Sequence, residues 1–137
     1  MRSHKNIRKG DNLPAIRKSV SQDQIQRYAE ASGDFNPIHL EKDFAATTGF
    51  GGTIAHGMMI LAFISEMMTK SFKKDWLNKG QLKIRFRAPV YPGENVTTFG
   101  RIKDVREYDG LTEVICSVGV RKQNGEDAIN GDATVSF

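Results

Sequence analysis

Seven consecutive apolar residues, Met58-Met59-Ile60-Leu61-Ala62-Phe63-Ile64, constrain this chain more than any other feature. They lie in a segment whose spacing predicts a helix from near His56 to about Lys70, so that helix is apolar on every side. Such a helix must be buried. In a chain of 137 residues the economical cover is a curved sheet. The C-terminal half supplies one, because Gln81 to Ala88, Asn95 to Arg106, Leu111 to Lys122 and Ala128 to Phe137 read as strands. Asp109-Gly110 and Asn124-Gly125 fall between them as hairpin turns. Leu82, Ile84 and Phe86 share one face, and Lys83, Arg85 and Arg87 the other. Ile129, Ala133, Val135 and Phe137 repeat the alternation, with Gly131 between them. The expected class is α+β, an antiparallel sheet curled around one long central helix.

The N-terminal half reads as a strand from Leu13 to Val20 entering a helix. Ser21 followed by Gln24 is a capping box, in which each side chain satisfies an orphan backbone donor. The helix is expected to end near Ser32, with Ile25, Tyr28, Ala29 and Ser32 on one face and Gly33 free to turn left-handed. From Gly33 to Gly52 the pattern breaks, and Glu41 to Ala46 offers at most a short helix. Loops this long in small domains are more often functional than incidental.

The length fits one domain over residues 1–137. The longest apolar run is far short of the ~18 residues of a membrane-spanning helix. The charged start, Met1-Arg2-Ser3-His4-Lys5, precedes no apolar stretch, so no secretory leader is expected. Cys116 is the only cysteine. It excludes an internal disulfide and suits a reducing cytoplasm, the expected location. Within Val114 to Val118 it reads as an inert core residue. A net charge of +4 favours an anionic partner without choosing one. The basic cluster Arg2, Lys5, Arg8, Lys9 has no interleaved aromatics and reads as a solvated tail; no nucleic-acid or membrane partner is expected.

Within the long excursion, Gly33-Asp34-Phe35-Asn36-Pro37-Ile38-His39 puts a carboxylate, an amide and an imidazole into one tight turn, where they can converge on a single water. Here the sequence resembles the MaoC-like (R)-specific enoyl-CoA hydratases and 3-hydroxyacyl thioester dehydratases. Their motif is close to Gly-Asp-x-Asn-Pro-aliphatic-His, and Asp34, Asn36, Pro37 and His39 match it position by position. Ala45 to Phe50, Ala55 to Met58, Phe86 to Val90 with Pro92 to Glu94, and Gly131 to Val135 extend the match over essentially the whole chain. The resemblance implies a hot-dog fold, usually as a homodimer. It also implies reversible hydration of a trans-2-enoyl thioester, with acyl-CoA or an acyl-carrier-protein thioester as the substrate partner and no cofactor beyond the carrier.

The chemistry explains the residue types. Hydration needs a proton taken from water, a proton delivered to Cα, and stabilisation of enolate-like charge on the thioester oxygen. Asp34 and His39 suit the first two tasks, and Asn36 would hold the loop or the water. The backbone N–H of Gly57, at the start of the buried helix, is the oxyanion candidate, since helix N-termini present unpaired donors. By the same resemblance Ser65 would lie near the acyl pocket or active site.

Simpler readings stand beside these. Asp34 and Asn36 are also common turn residues, and His56 reads as a capping or packing residue. His4, His39, His56 and Cys116 lack metal-ligand spacing, so no metal is expected. Met58, Met59, Met67 and Met68 read as core filling. Lys83, Arg85 and Arg87 form either a solvated face or a cradle for the phosphates of the thioester carrier. The rival functions are a 3-hydroxyacyl-[acyl-carrier-protein] dehydratase, a hot-dog thioesterase, whose members lack this motif, and a non-catalytic acyl-CoA-binding module.

Overall fold

A computed structural model describes residues 7–137; Arg2, His4 and Lys5, invoked above, lie outside them. In chain order the elements are β1 (Arg17–Ser19), α1 (Gln22–Ser32), α2 (Pro37–Leu40), α3 (Lys42–Ala46), α4 (Gly57–Phe72), α5 (Lys74–Lys79), β2 (Gln81–Phe86), β3 (Asn95–Tyr108), β4 (Leu111–Lys122) and β5 (Asp127–Ser136). The strands form one antiparallel sheet in the order β1-β3-β4-β5-β2. The expected alternation appears on β5, where Ile129, Ala133 and Val135 are buried, and Val96, Thr98, Gly100 and Ile102 on β3 and Val114, Cys116, Val118 and Val120 on β4 are buried in the same way. They pack against Ile60, Ile64, Met67 and Met68 of α4 in one continuous core.

The burial of α4 is less complete than its composition suggests. Met59, Ile60, Ile64, Met67, Met68 and Phe72 are buried, yet Met58 is 58% exposed and Ala62 is also exposed. The sheet curls around one side of the helix, and composition cannot say which side that is.

The predicted first strand shrinks to three residues. Pro14 carries no N–H, and the amide of Ile16 donates to the Thr98 side chain at 2.9 Å instead of continuing the ladder. β2 stops at Phe86 because the amides of Arg87 and Ala88 both donate to the carbonyl of Ala128, after which Pro89 has none to offer. α5 carries no sequence signal: α4 breaks at Lys73, a non-glycine residue held at φ 54°, where a glycine would ordinarily mark the turn.

The signposted features appear where the sequence puts them. Ser21 and Gln24 form both halves of the capping box, and Gly33 ends α1 at φ 79°. Asp109 and Gly110 both have positive φ, as a tight two-residue hairpin requires. No helix of the described residues is long and apolar enough to cross a membrane.

Candidate active site

The long excursion between α1 and α4 folds as two short helices pinned by side chains. Asp34 Oδ1 accepts the amide of Asn36 at 3.2 Å, and Asn36 Oδ1 accepts the amide of Ile38 at 3.0 Å, capping α2. Both residues are therefore turn formers, as their types allow. The result presents the Asp34 carboxylate, its side chain 53% exposed, to His39, whose side chain is 11% exposed. His39 Nε2 and Asp34 Oδ2 lie 3.9 Å apart. That is too long for a direct hydrogen bond, but a water lying off the line between them can reach both.

The other histidine nitrogen fixes the chemistry of the ring. His39 Nδ1 is 2.8 Å from the carbonyl oxygen of Ile54. A carbonyl only accepts, so Nδ1 carries a proton, and the neutral tautomer compatible with this bond has its lone pair on Nε2, facing Asp34. The Ile54 carbonyl is a functional group that no sequence reading can find, because every residue carries one.

His39 also lines a cavity of about 330 Å³ whose walls are mostly apolar, including Phe50, Ile60, Phe86 and Val90. Gly57 lines it as well, at the first position of α4, where an amide has no intrahelical acceptor. A Cβ at Gly57 would come within 2.8 Å of the Phe86 ring, so this wall requires a glycine or a displaced phenylalanine. Phe86, expected to face inward with Leu82 and Ile84, is 56% exposed against this cavity.

Arg87 is the only charged residue among those lining the cavity, and its Nε donates to Asn130 Oδ1 at 3.1 Å. It thus separates from Lys83 and Arg85, which are exposed along β2. Ser65 does not join this group. Its Oγ accepts the indole N–H of Trp76 at 3.0 Å, linking α4 to α5, and it is not among the lining residues.

His56 is buried as expected but caps nothing. It stands at the N-cap of α4 without a side-chain bond to the helix, and its ring stacks on His39 with centroids 3.9 Å apart. Asp34, His39 and His56 offer ligand atoms within 4.8 Å of one another. The geometry does not suit a metal. Imidazole lone pairs lie in the ring plane, and two rings stacked 25° from parallel cannot both aim at one ion ~2.0–2.1 Å away. Cys116 is fully buried, and burial pushes its thiol pKa up to about 12, which removes it from any nucleophilic role.

Comparison with known proteins matches this architecture. The family model described as a MaoC-like domain matches residues 6–124. The (R)-specific enoyl-CoA hydratase of Rhodospirillum rubrum is 32% identical over 131 residues, covering 94% of this chain and 87% of that protein. The (R)-specific enoyl-CoA hydratase of Aeromonas caviae is 31% identical over 115 residues, covering 83% of this chain and 84% of that protein. The solved structure of an (R)-hydratase from A. caviae involved in PHA biosynthesis superposes with a TM-score of 0.81 at 25% identity, covering 96% of each chain. The sheet wrapped on α4 is accordingly the hot-dog fold. With the family model spanning most of its length, this chain belongs to the MaoC-like domain family, and it is an enzyme of the hydratase and dehydratase type, a hydro-lyase.

Proposed function

We propose that the protein is an (R)-specific enoyl-CoA hydratase, reversibly adding water to trans-2-enoyl-CoA to give (R)-3-hydroxyacyl-CoA. The observation that carries this reading is the lone pair of His39 Nε2 facing the Asp34 carboxylate across 3.9 Å at the edge of an apolar cavity. A water held between the two loses a proton as its oxygen bonds to Cβ, and the pair returns a proton to Cα. The electron pair that moves onto the thioester oxygen is met by the Gly57 amide at the positive end of α4. Asn36 keeps the loop in shape by capping α2. No cofactor enters beyond the carrier of the thioester.

Arg87, the single cation lining the cavity, suits a phosphate of that carrier, whether coenzyme A or phosphopantetheine. The second reading, a 3-hydroxyacyl-[acyl-carrier-protein] dehydratase, uses the same site in reverse, and the exposed Lys83 and Arg85 beside Arg87 give a carrier protein a basic face to meet. We also read the protein as a cytoplasmic homodimer. β2 pairs with β5 on one side only, and Phe86 and Met58 next to it are exposed, so a second copy has both an open edge and an apolar surface to cover.

The test is loss of the enoyl thioester absorbance with crotonyl-CoA and with the matching carrier-protein substrate. We expect turnover without thiol release, and a loss of at least ~10²-fold in folded Asp34→Asn and His39→Gln variants. Turnover with free thiol would indicate a thioesterase. An inactive wild type on all chain lengths, or variants at full rate, would leave an acyl-CoA-binding module.

A further inference from the structure

Segment 54–57 touches the proposed pair from both sides. The Ile54 carbonyl accepts the hydrogen bond of His39 Nδ1–H, and two residues later the His56 ring reaches back to the turn that carries Asp34. His56 Nε2 is 2.9 Å from the carbonyl oxygen of Asp34, so Nε2 is the protonated nitrogen. His56 Nδ1 is buried and has no hydrogen-bond partner among the described residues. A second proton there would be buried without an acceptor, beside another imidazole 3.9 Å away. Tyr28 packs on the same ring, tilted by 55° with centroids 4.8 Å apart.

From these contacts we propose that His56 is a positioning residue for the hydration reaction: it fixes the Asp34 backbone with its Nε2–H and the plane of His39 by stacking. It is not among the residues lining the cavity and acts only through the other two. Each half of the role belongs to a different property of imidazole, so the halves can be separated. His56→Phe keeps a ring against His39 and loses the donor. His56→Gln keeps an N–H near the reach of Nε2 and loses the ring.

This inference rests on the reading of Asp34 and His39 as the reacting pair, and the experiment keeps the two apart. With crotonyl-CoA we expect kcat to fall on the order of 100-fold in His56→Phe, with KM changed less than threefold and partial recovery in His56→Gln. The double variant Asp34→Asn/His56→Phe should be no slower than Asp34→Asn alone, because the lost donor acts on Asp34. Folded His56 variants at wild-type kcat, a change confined to KM, or full additivity with Asp34→Asn overturns the proposal. Full rate in Asp34→Asn and His39→Gln instead removes the pair itself. Should the variants fail to fold, ¹⁵N-histidine spectra of the wild type at pH 7 still decide. His56 must show a proton on Nε2, and a ring protonated on Nδ1 alone refutes the arrangement.

Discussion

At the scale of single residues, Gly57 and Ser65 make opposite demands on an alanine. Gly57→Ala places a methyl within 2.8 Å of Phe86, whose exposed ring can swing aside, but into the cavity or across its rim. We expect thermal stability to change little and kcat to fall by ~10²-fold as the oxyanion donor loses its approach, read by paired melting and rate measurements. Ser65→Ala should do the reverse. It leaves the Trp76 indole, 7% exposed, without its acceptor, which costs about 1–2 kcal/mol in denaturant unfolding while turnover of crotonyl-CoA persists. Arg87→Ala should raise KM for coenzyme A thioesters more than it lowers kcat, since a phosphate contact contributes to binding in ground and transition states alike. Asp34, Asn36 and His39 were legible in the sequence because turn chemistry and acid–base chemistry both favour those residue types at that spacing. The partners that orient them, the carbonyls of Ile54 and Asp34, were not, because a main-chain group leaves no trace in composition.

Elements are joined here by ion pairs that set a pH dependence. Glu66 of α4 meets Lys18 of β1 at 2.9 Å and Lys70 at 3.6 Å, and the Lys18 hydrogen bond, against some desolvation, holds its carboxyl below the ordinary value. A carboxyl depressed on folding stabilises above its unfolded pKa and loses that contribution as pH falls through the folded value. Glu66→Gln should therefore lower stability modestly at neutral pH and converge on the wild type as pH falls well below 4.5, measured by unfolding across an acid series. The strands and helices with explicit signals appeared within a few residues of their expected ends: the capping box of α1, the Asp109-Gly110 hairpin, the alternation in β5. The differences have local causes. Hydrophobicity announces α4 but not the side left bare, and the break at Lys73 depends on a backbone conformation that lysine does not advertise.

Across the whole molecule, Cys116 is a reporter of cooperative opening. It lies at the middle of β4, paired with Ile102 on one neighbour and Ala133 on the other, and is 0% exposed. A thiol pushed up to about 12 and sealed in this way should not react with an alkylating reagent at pH 8 until the sheet itself unfolds. Labelling kinetics over a denaturant series should then track global stability; rapid labelling of the native protein would show that the core opens locally. The same integration bears on what can be inherited or transplanted from this enzyme. Ile54 bonds His39 through its carbonyl, His56 stacks its ring on His39 and Gly57 lines the cavity, all in a span of four positions, while Ala55 between them donates its own amide to Val90. Substitution at Ile54 leaves its carbonyl in place even as the side chain that lines the cavity changes, but the length of the span cannot change. A single inserted or deleted residue rotates every one of these groups away together. A designer moving the reaction to another scaffold must therefore carry residues 34–39 and 54–57 as one graft, separated in sequence yet inseparable in geometry.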